Sequence, residues 1–188
     1  MIAVYGMGLT QHVHGGKTLG ALSATGKPLY QQGFNAPAPD FDYLPFGDLA
    51  ALEARLTDTH DRLAAAEDEL AILRILAAYS PRVDSGDAQG VAELWTSDGV
   101  YDVDTGRLEG HDGLVEMVTG DAHQGLIAHG CGHVPSLPVV LLDGDRAVAT
   151  GYTQLVVRSS KPGRYTVVRV TASRWELERR GSVDAPDR

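Results

Sequence analysis

Cysteine is all but missing from this chain: Cys131 stands alone among 188 residues. No intrachain disulfide can form, and with nothing to suggest an oxidising compartment the chain reads as cytoplasmic. Basic residues are also in short supply, 16 Lys and Arg against 25 Asp and Glu, for a formal net charge of −9. No basic run exceeds Arg179-Arg180, so a phosphate backbone would find little to hold it and nucleic-acid binding is excluded. Long hydrophobic runs are absent as well. No window approaches the roughly 18 apolar residues of a membrane span. The apolar start Met1-Ile2-Ala3-Val4 lacks a basic leader and is broken by glycines and histidines before it reaches signal-peptide length.

What is present falls into segments. Residues 1–47 are Gly-rich at first and then place Pro37, Pro39 and Pro45 among Phe34, Phe41, Tyr43 and Phe46. This composition predicts an irregular arm whose aromatics suit docking on a neighbouring subunit. Gly16-Lys17-Thr18 invites comparison with a phosphate-binding loop, but that loop needs glycine five positions before Gly16, where Gln11 stands. A plain loop is the expectation. From Asp48 the chain turns helical: Leu49, Leu56, Leu63 and Leu70 fall seven apart, and Leu52, Ala66 and Leu73 fill the intervening apolar positions of the repeat. A helix over 48–79 would be roughly 45 Å long and would carry an exposed seam. That seam either packs beneath the chain's own sheet or meets the same helix in a second copy; a homodimer is the expectation.

Ile72, Leu73, Ile75 and Leu76 give this helix a core-facing stripe. Pro81, and then Ser85-Gly86-Asp87, interrupt it. Tyr79 and Asp84 therefore sit where an apolar helix gives out, a way to set a carboxylate in a dry pocket. Asp87 can cap a short helix carrying Val91, Leu94 and Trp95, after which Asp98-Gly99 turns into the alternating run Val100 to Asp104.

The C-terminal half reads as sheet, beginning with a strand over 126–142 broken at Pro135 and Pro138. Asp143-Gly144-Asp145 turns into a strand over 146–159, and Lys161-Pro162-Gly163 into one over 165–180. On the last strand Tyr165, Val167, Arg169, Thr171, Ser173, Trp175 and Leu177 share one face. His129, Cys131 and His133 would likewise share a strand face, which suggests a metal. About 13 Å of strand between the two histidines is too far for one zinc with bonds of about 2.0–2.3 Å, so no metal is expected and Cys131 reads as a small apolar residue.

Six anchors then occur in a recognisable order: Tyr79-x4-Asp84; Leu94-Trp95-Thr96-Ser97-Asp98-Gly99-Val100; Leu108-Glu109-Gly110-His111-Asp112; Gly132-His133; Asp143-Gly144-Asp145-Arg146-Ala147; and Thr171-Ala172-Ser173-Arg174-Trp175-Glu176. Over residues 52–180 this resembles the SnoaL-like family of the nuclear transport factor 2-like superfamily, on its scytalone dehydratase-like and polyketide cyclase-like branch. The resemblance implies an α+β fold, a cone-shaped, curved, mostly antiparallel sheet wrapped around helices, with the long helix at its N-terminal side. It also implies dimers. The domain would occupy 48–180, after the arm of residues 1–47 and before a polar tail at 181–188. Relatives usually add one more strand where this tail stands, so the sheet would lack an edge or borrow one.

By motif, Tyr79, Asp84 and His133 match the places where dehydratases of the group handle protons. The trio suits elimination or isomerisation of a carbonyl compound, in which a base takes the proton beside the carbonyl, a donor steadies the enolate and an acid serves the leaving hydroxyl. An imidazole titrating near about 6.5 can act either way, Tyr79 can donate, and Asp84 can orient the ring. Neither metal nor organic cofactor is required. Each residue also has a structural role open to it: Tyr79 as a buried ring, Asp84 as a turn cap, His133 as a hydrogen-bonded strand residue. Trp95, Tyr101, His129, Tyr152, Arg169 and Ser173 are the further pocket candidates. Arg169, amid valines, needs a carboxylate if buried, from Asp102, Asp104 or Asp84, or an anionic substrate. Ser173 stands where relatives often have Asn. The expectation is thus a cofactor-independent lyase or isomerase acting on a small hydrophobic, cyclic or polyketide-like carbonyl compound. The alternative is a non-catalytic homodimeric module that binds an apolar ligand or serves in an assembly.

Overall fold

The computed structural model describes residues 2–4, 23, 28–31, 42–103 and 106–180. The comparison with a phosphate loop at Gly16-Lys17-Thr18, the carboxylate of Asp104 and the tail 181–188 lie outside the described residues. The chain divides into two compact units, Met1–Ala64 and Ala65–Arg188.

In the first unit, β1 (Ile2–Val4) runs parallel to β2 (Asp42–Leu44), with helix α1 (Pro28–Gln31) between them in sequence. Gln31 Nε2 donates to the Tyr43 hydroxyl at 2.6 Å, and that hydroxyl donates to the Ser23 carbonyl. Where composition predicted an irregular arm, the described residues therefore carry regular pairing. Helix α2 (Leu49–Ser85) begins under a cap from Asp48, whose Oδ1 accepts the Ala51 N–H at 2.9 Å.

The helix runs past its expected end at Tyr79 and through Pro81. Pro81 lies on the exposed side, where the carbonyl deprived of its partner can be hydrated, while Ile72, Ser80 and Val83 are buried on the other. It stops at a Schellman turn: Asp87 N–H bonds Arg82 O at 2.9 Å and Gly86 N–H bonds Val83 O at 3.3 Å, with Gly86 at φ 78°. Asp87 then caps α3 (Ala88–Ala92), its Oδ1 accepting the Gly90 N–H at 2.9 Å. The expected hairpin follows as β3 (Val100–Val103) and β4 (Gly106–Glu109), with Tyr101 opposite Leu108. Helices α4 (Gly110–Thr119) and α5 (Asp121–His129) complete the helical layer.

The main sheet is antiparallel throughout: β5 (Cys131–Pro135) and β6 (Val139–Asp143) share one edge of β7 (Arg146–Arg158), and β8 (Tyr165–Glu178) takes the other. The two prolines divide β5 from β6, as expected. Gly151 permits this break, because a Cβ there would lie 3.2 Å from Ser136 Oγ and 3.5 Å from Pro138 Cα. Both expected turns form, with Gly144 at φ 58° and Gly163 at φ 70°.

Two expectations are corrected. Leu126 to His129 belong to α5, so His129 ends a helix and does not share a strand with Cys131 and His133. And β8 carries an irregularity: Leu155 pairs with Arg169 but Val156 with Val167, leaving Val168 extra. One inserted residue reverses the faces beyond it, so Tyr165 and Val167 lie opposite the face of Arg169, Thr171, Ser173, Trp175 and Leu177.

Burial explains the arrangement. Ile72, Ala147 and Ala149 form one cluster with Leu76, Val140, Trp175 and Leu177 against it, joining α2 to the sheet. Val83, Val91 and Val118 form another, backed by Tyr79, Ala88, Trp95 and Met117. No helix among the described residues is long and apolar enough to cross a membrane.

Candidate active site

The last turn of α2 presents Asp84 to β5. Its Oδ1 lies 2.6 Å from His133 Nδ1, and its Oδ2 accepts the His133 backbone N–H at 2.8 Å. Two anchors from one residue fix the carboxylate in position and direct the imidazole, and among the described residues no hydrogen bond engages Nε2. The pair is largely shielded, its side chains 17% and 20% exposed for His133 and Asp84. Cys131, on the same face of β5, brings its thiol to 3.8 Å from Asp84 Oδ1. Burial and then the Asp84 charge raise the Cys131 thiol above its ordinary pKa, so it sits there as a neutral donor.

Aromatic rings close the other side. Tyr79 meets Trp95 edge-on at 5.4 Å between centroids and His133 at 6.3 Å, while Trp95 meets Tyr101 at 6.0 Å. Burial is the main reason that the Tyr79 phenol is held far above its ordinary pKa; the neighbouring Tyr101 hydroxyl, to which it is hydrogen-bonded, and the Asp84 charge push the same way. It therefore stays a neutral phenol with a proton to donate.

One residue escaped the sequence reading. His123, on α5, stacks on His133 with centroids 6.3 Å apart and planes 26° from parallel. Its Nε2 bonds the Val83 carbonyl at 2.9 Å, and since a carbonyl only accepts, that nitrogen carries the proton and Nδ1 is left open. The misassignment of the segment before Cys131 hid it; a histidine one helix upstream of the site strand was the available signal.

The structure thus brings together Tyr79, Asp84, His133, Trp95 and Tyr101. Arg169 stands in register with Leu155, which in turn faces His133, so all three occupy one row across the sheet, with Ser173 further along the same face. Arg169 is on the exposed part of β8 and, with Asp102, Val103, Val170, Thr171 and Ala172, lines an open cleft of about 570 Å³ between β3 and β8. Tyr79, Asp84 and His133 do not line it, and neither does Tyr101, whose side chain leaves β3 on the face opposite that of its neighbour Asp102. Tyr152 lies on the opposite face of β7 and is 61% exposed. His129 is exposed and bonds the Arg158 carbonyl at 3.0 Å. Neither of these two meets the cluster.

An α+β fold with a helix-borne carboxylate clasping a strand histidine inside an aromatic wall describes a class of small pocketed domains. The SnoaL-like domain matches residues 64–185, and the chain belongs to that family, within the nuclear transport factor 2-like superfamily. A nuclear transport factor 2-like protein with a cystatin-like fold from Novosphingobium aromaticivorans is 34% identical, with 72% of this chain and 83% of that one superposed at a TM-score of 0.59. Aln2 from a Streptomyces species shares the fold at 19% identity and a TM-score of 0.51, over 59% of this chain and 80% of its own. A protein of unknown function from Mycobacterium tuberculosis does so at 20% and 0.54, over 62% and 66%. Curated relatives match only a short stretch: the acetylornithine aminotransferase of Synechocystis is 46% identical over 43 residues, 23% of this chain. The chain spans about a tenth of that enzyme's length, 10%.

Proposed function

We propose that this protein is a cofactor-independent lyase or isomerase that moves protons on a hydrophobic, cyclic or polyketide-like carbonyl compound. The 2.6 Å contact between His133 Nδ1 and Asp84 Oδ1, with Tyr79 beside it, carries the reading. With Nδ1 committed to the carboxylate, Nε2 is the base. It takes the proton from the carbon next to the substrate carbonyl, and the electron pair moves to the carbonyl oxygen, which the neutral Tyr79 phenol stabilises. In a dehydration the enolate pair then expels the β-hydroxyl, which leaves as water with the proton held on His133; in an isomerisation that proton returns at a different carbon. His123 is a second imidazole within reach of such a proton. Family membership supports this reading, because SnoaL-like proteins are a group in which cyclase and isomerase chemistry recurs.

The test is exchange of the proton next to the carbonyl, followed by NMR in deuterated water, with a panel of cyclic β-hydroxy ketones. The wild type is expected to exchange and eliminate. His133→Ala and Asp84→Asn are each expected to lower the rate by about 10²- to 10⁴-fold, the range of one general acid or base. A wild type that exchanges nothing, or a His133→Ala variant as fast as the wild type, refutes the reading.

A further inference from the structure

Helix α2 carries a row of leucines in contact with water: Leu49 is 69% exposed, Leu56 43%, Leu63 54% and Leu70 46%. They recur every seven residues, and Leu52, Thr59, Ala66 and Leu73 recur at the intervening step. In heptad terms the first set holds a positions and the second d positions. Ile72 and Leu76 turn a different face of the helix to the chain's own sheet, so the seam covers residues 49–73.

We propose that this seam pairs with the same seam of a second copy as a parallel, in-register coiled coil. The flanking charges favour that partner and direction. The g positions hold Asp48, Arg55, Arg62 and Glu69, and the e positions Glu53, His60, Glu67 and Arg74. In a parallel pair each g residue faces the e residue five further on in the other chain. Arg62 then meets Glu67 of the partner subunit, and Glu69 meets Arg74 of the partner subunit, both of opposite sign and both in the C-terminal half of the seam. Arg55 meets the imidazole of His60. The single like-charged encounter, Asp48 with Glu53, falls at the helix start, where separation and water weaken it. Among the described residues Arg62 pairs with Asp58 at 3.9 Å, an exposed contact that yields easily. Thr59 supplies the one polar d position, a site that tolerates pairing with itself across the seam.

Sedimentation equilibrium and an engineered crosslink test this on the full chain. The wild type is expected at twice the chain mass of 20.0 kDa, and Leu56→Glu with Leu63→Glu at that of one chain, circular dichroism confirming that the double variant stays folded. Thr59→Cys, in a Cys131→Ala background, is expected to give a disulfide-linked dimer under mild oxidation, because only a parallel, in-register pair brings residue 59 against itself along with its flanking layers. A monomeric wild type, a dimer that survives the leucine substitutions, or an intact dimer that Thr59→Cys fails to crosslink would each overturn the proposal.

Discussion

Tyr79 is the residue whose environment has the most definite consequence. Burial, the Tyr101 hydroxyl and the Asp84 charge all disfavour its phenolate, so its folded pKa stands above the value of about 10 expected in the unfolded chain. Below about pH 10 both states keep the proton and pH has no leverage through this group. Above it the unfolded chain releases the proton while the folded one retains it, and stability must fall as pH rises, by up to about 1.4 kcal/mol per pH unit for this one group. Urea denaturation between about pH 9 and about pH 11, either side of the ordinary phenol value, measures this. The decisive comparison is with Tyr79→Phe, which keeps the ring contacts with Trp95 and His133. The Phe variant is expected to lose the extra alkaline slope; an identical slope in both would mean that the phenol ionises freely.

At the scale of elements, Pro81 shows where packing overrode a local rule. A proline inside a helix costs about 3 kcal/mol relative to alanine, yet α2 continues to Ser85 because Ile72, Ser80 and Val83 bury its other side. Pro81→Ala is therefore expected to stabilise the protein by about 2 kcal/mol, the propensity gain less the roughly 0.4–1 kcal/mol by which proline restrains the unfolded chain. Chemical denaturation reads this directly, and an unchanged or lower stability would mean that the proline's local geometry is required where α2 delivers Asp84. Other elements were legible because their signals were local. Ser85-Gly86-Asp87 became a Schellman turn and a cap, and Asp143-Gly144-Asp145 became a hairpin turn. Tyr79, Asp84 and His133 could be named in advance because the family order fixed their places, although Asp84 and His133 are 49 residues apart. The helix ending at His129 was not legible. It buries none of its residues, has no side-chain cap and contains Gly125, so its short apolar run Leu126-Ile127-Ala128 resembles the start of a strand. The extra residue at Val168 was hidden for a different reason: alternation along β8 is set by pairing with β7, a non-local fact that no stretch of β8 contains.

At the scale of the whole molecule, the contact between Asp84 and His133, both hydrophobic clusters and the four-stranded sheet all fall within Ala65–Arg188. The family match covers nearly the same span, residues 64–185. The leucine seam, by contrast, has Leu49, Leu52, Leu56 and Leu63 before that boundary and only Leu70 and Leu73 after it. The proposed pairing would therefore rest on a different stretch of the sequence from folding, and the two can be tested apart. A fragment of residues 65–188 retains the part of α2 from which Ile72, Leu76, Tyr79 and Val83 pack, so it is expected to unfold in one cooperative transition. It keeps Asp84 and His133 in contact and preserves whatever proton exchange the full chain performs, to within a few fold. Without three of the four a-position leucines it is expected to sediment as a single chain at concentrations where the full chain is paired. Far-ultraviolet circular dichroism through a urea titration, together with sedimentation of both chains, checks the two halves of this statement separately. A fragment that melts without cooperativity would mean that residues before Ala65 contribute to the core, and a folded fragment that still dimerises would place the contact on the sheet rather than on the helix.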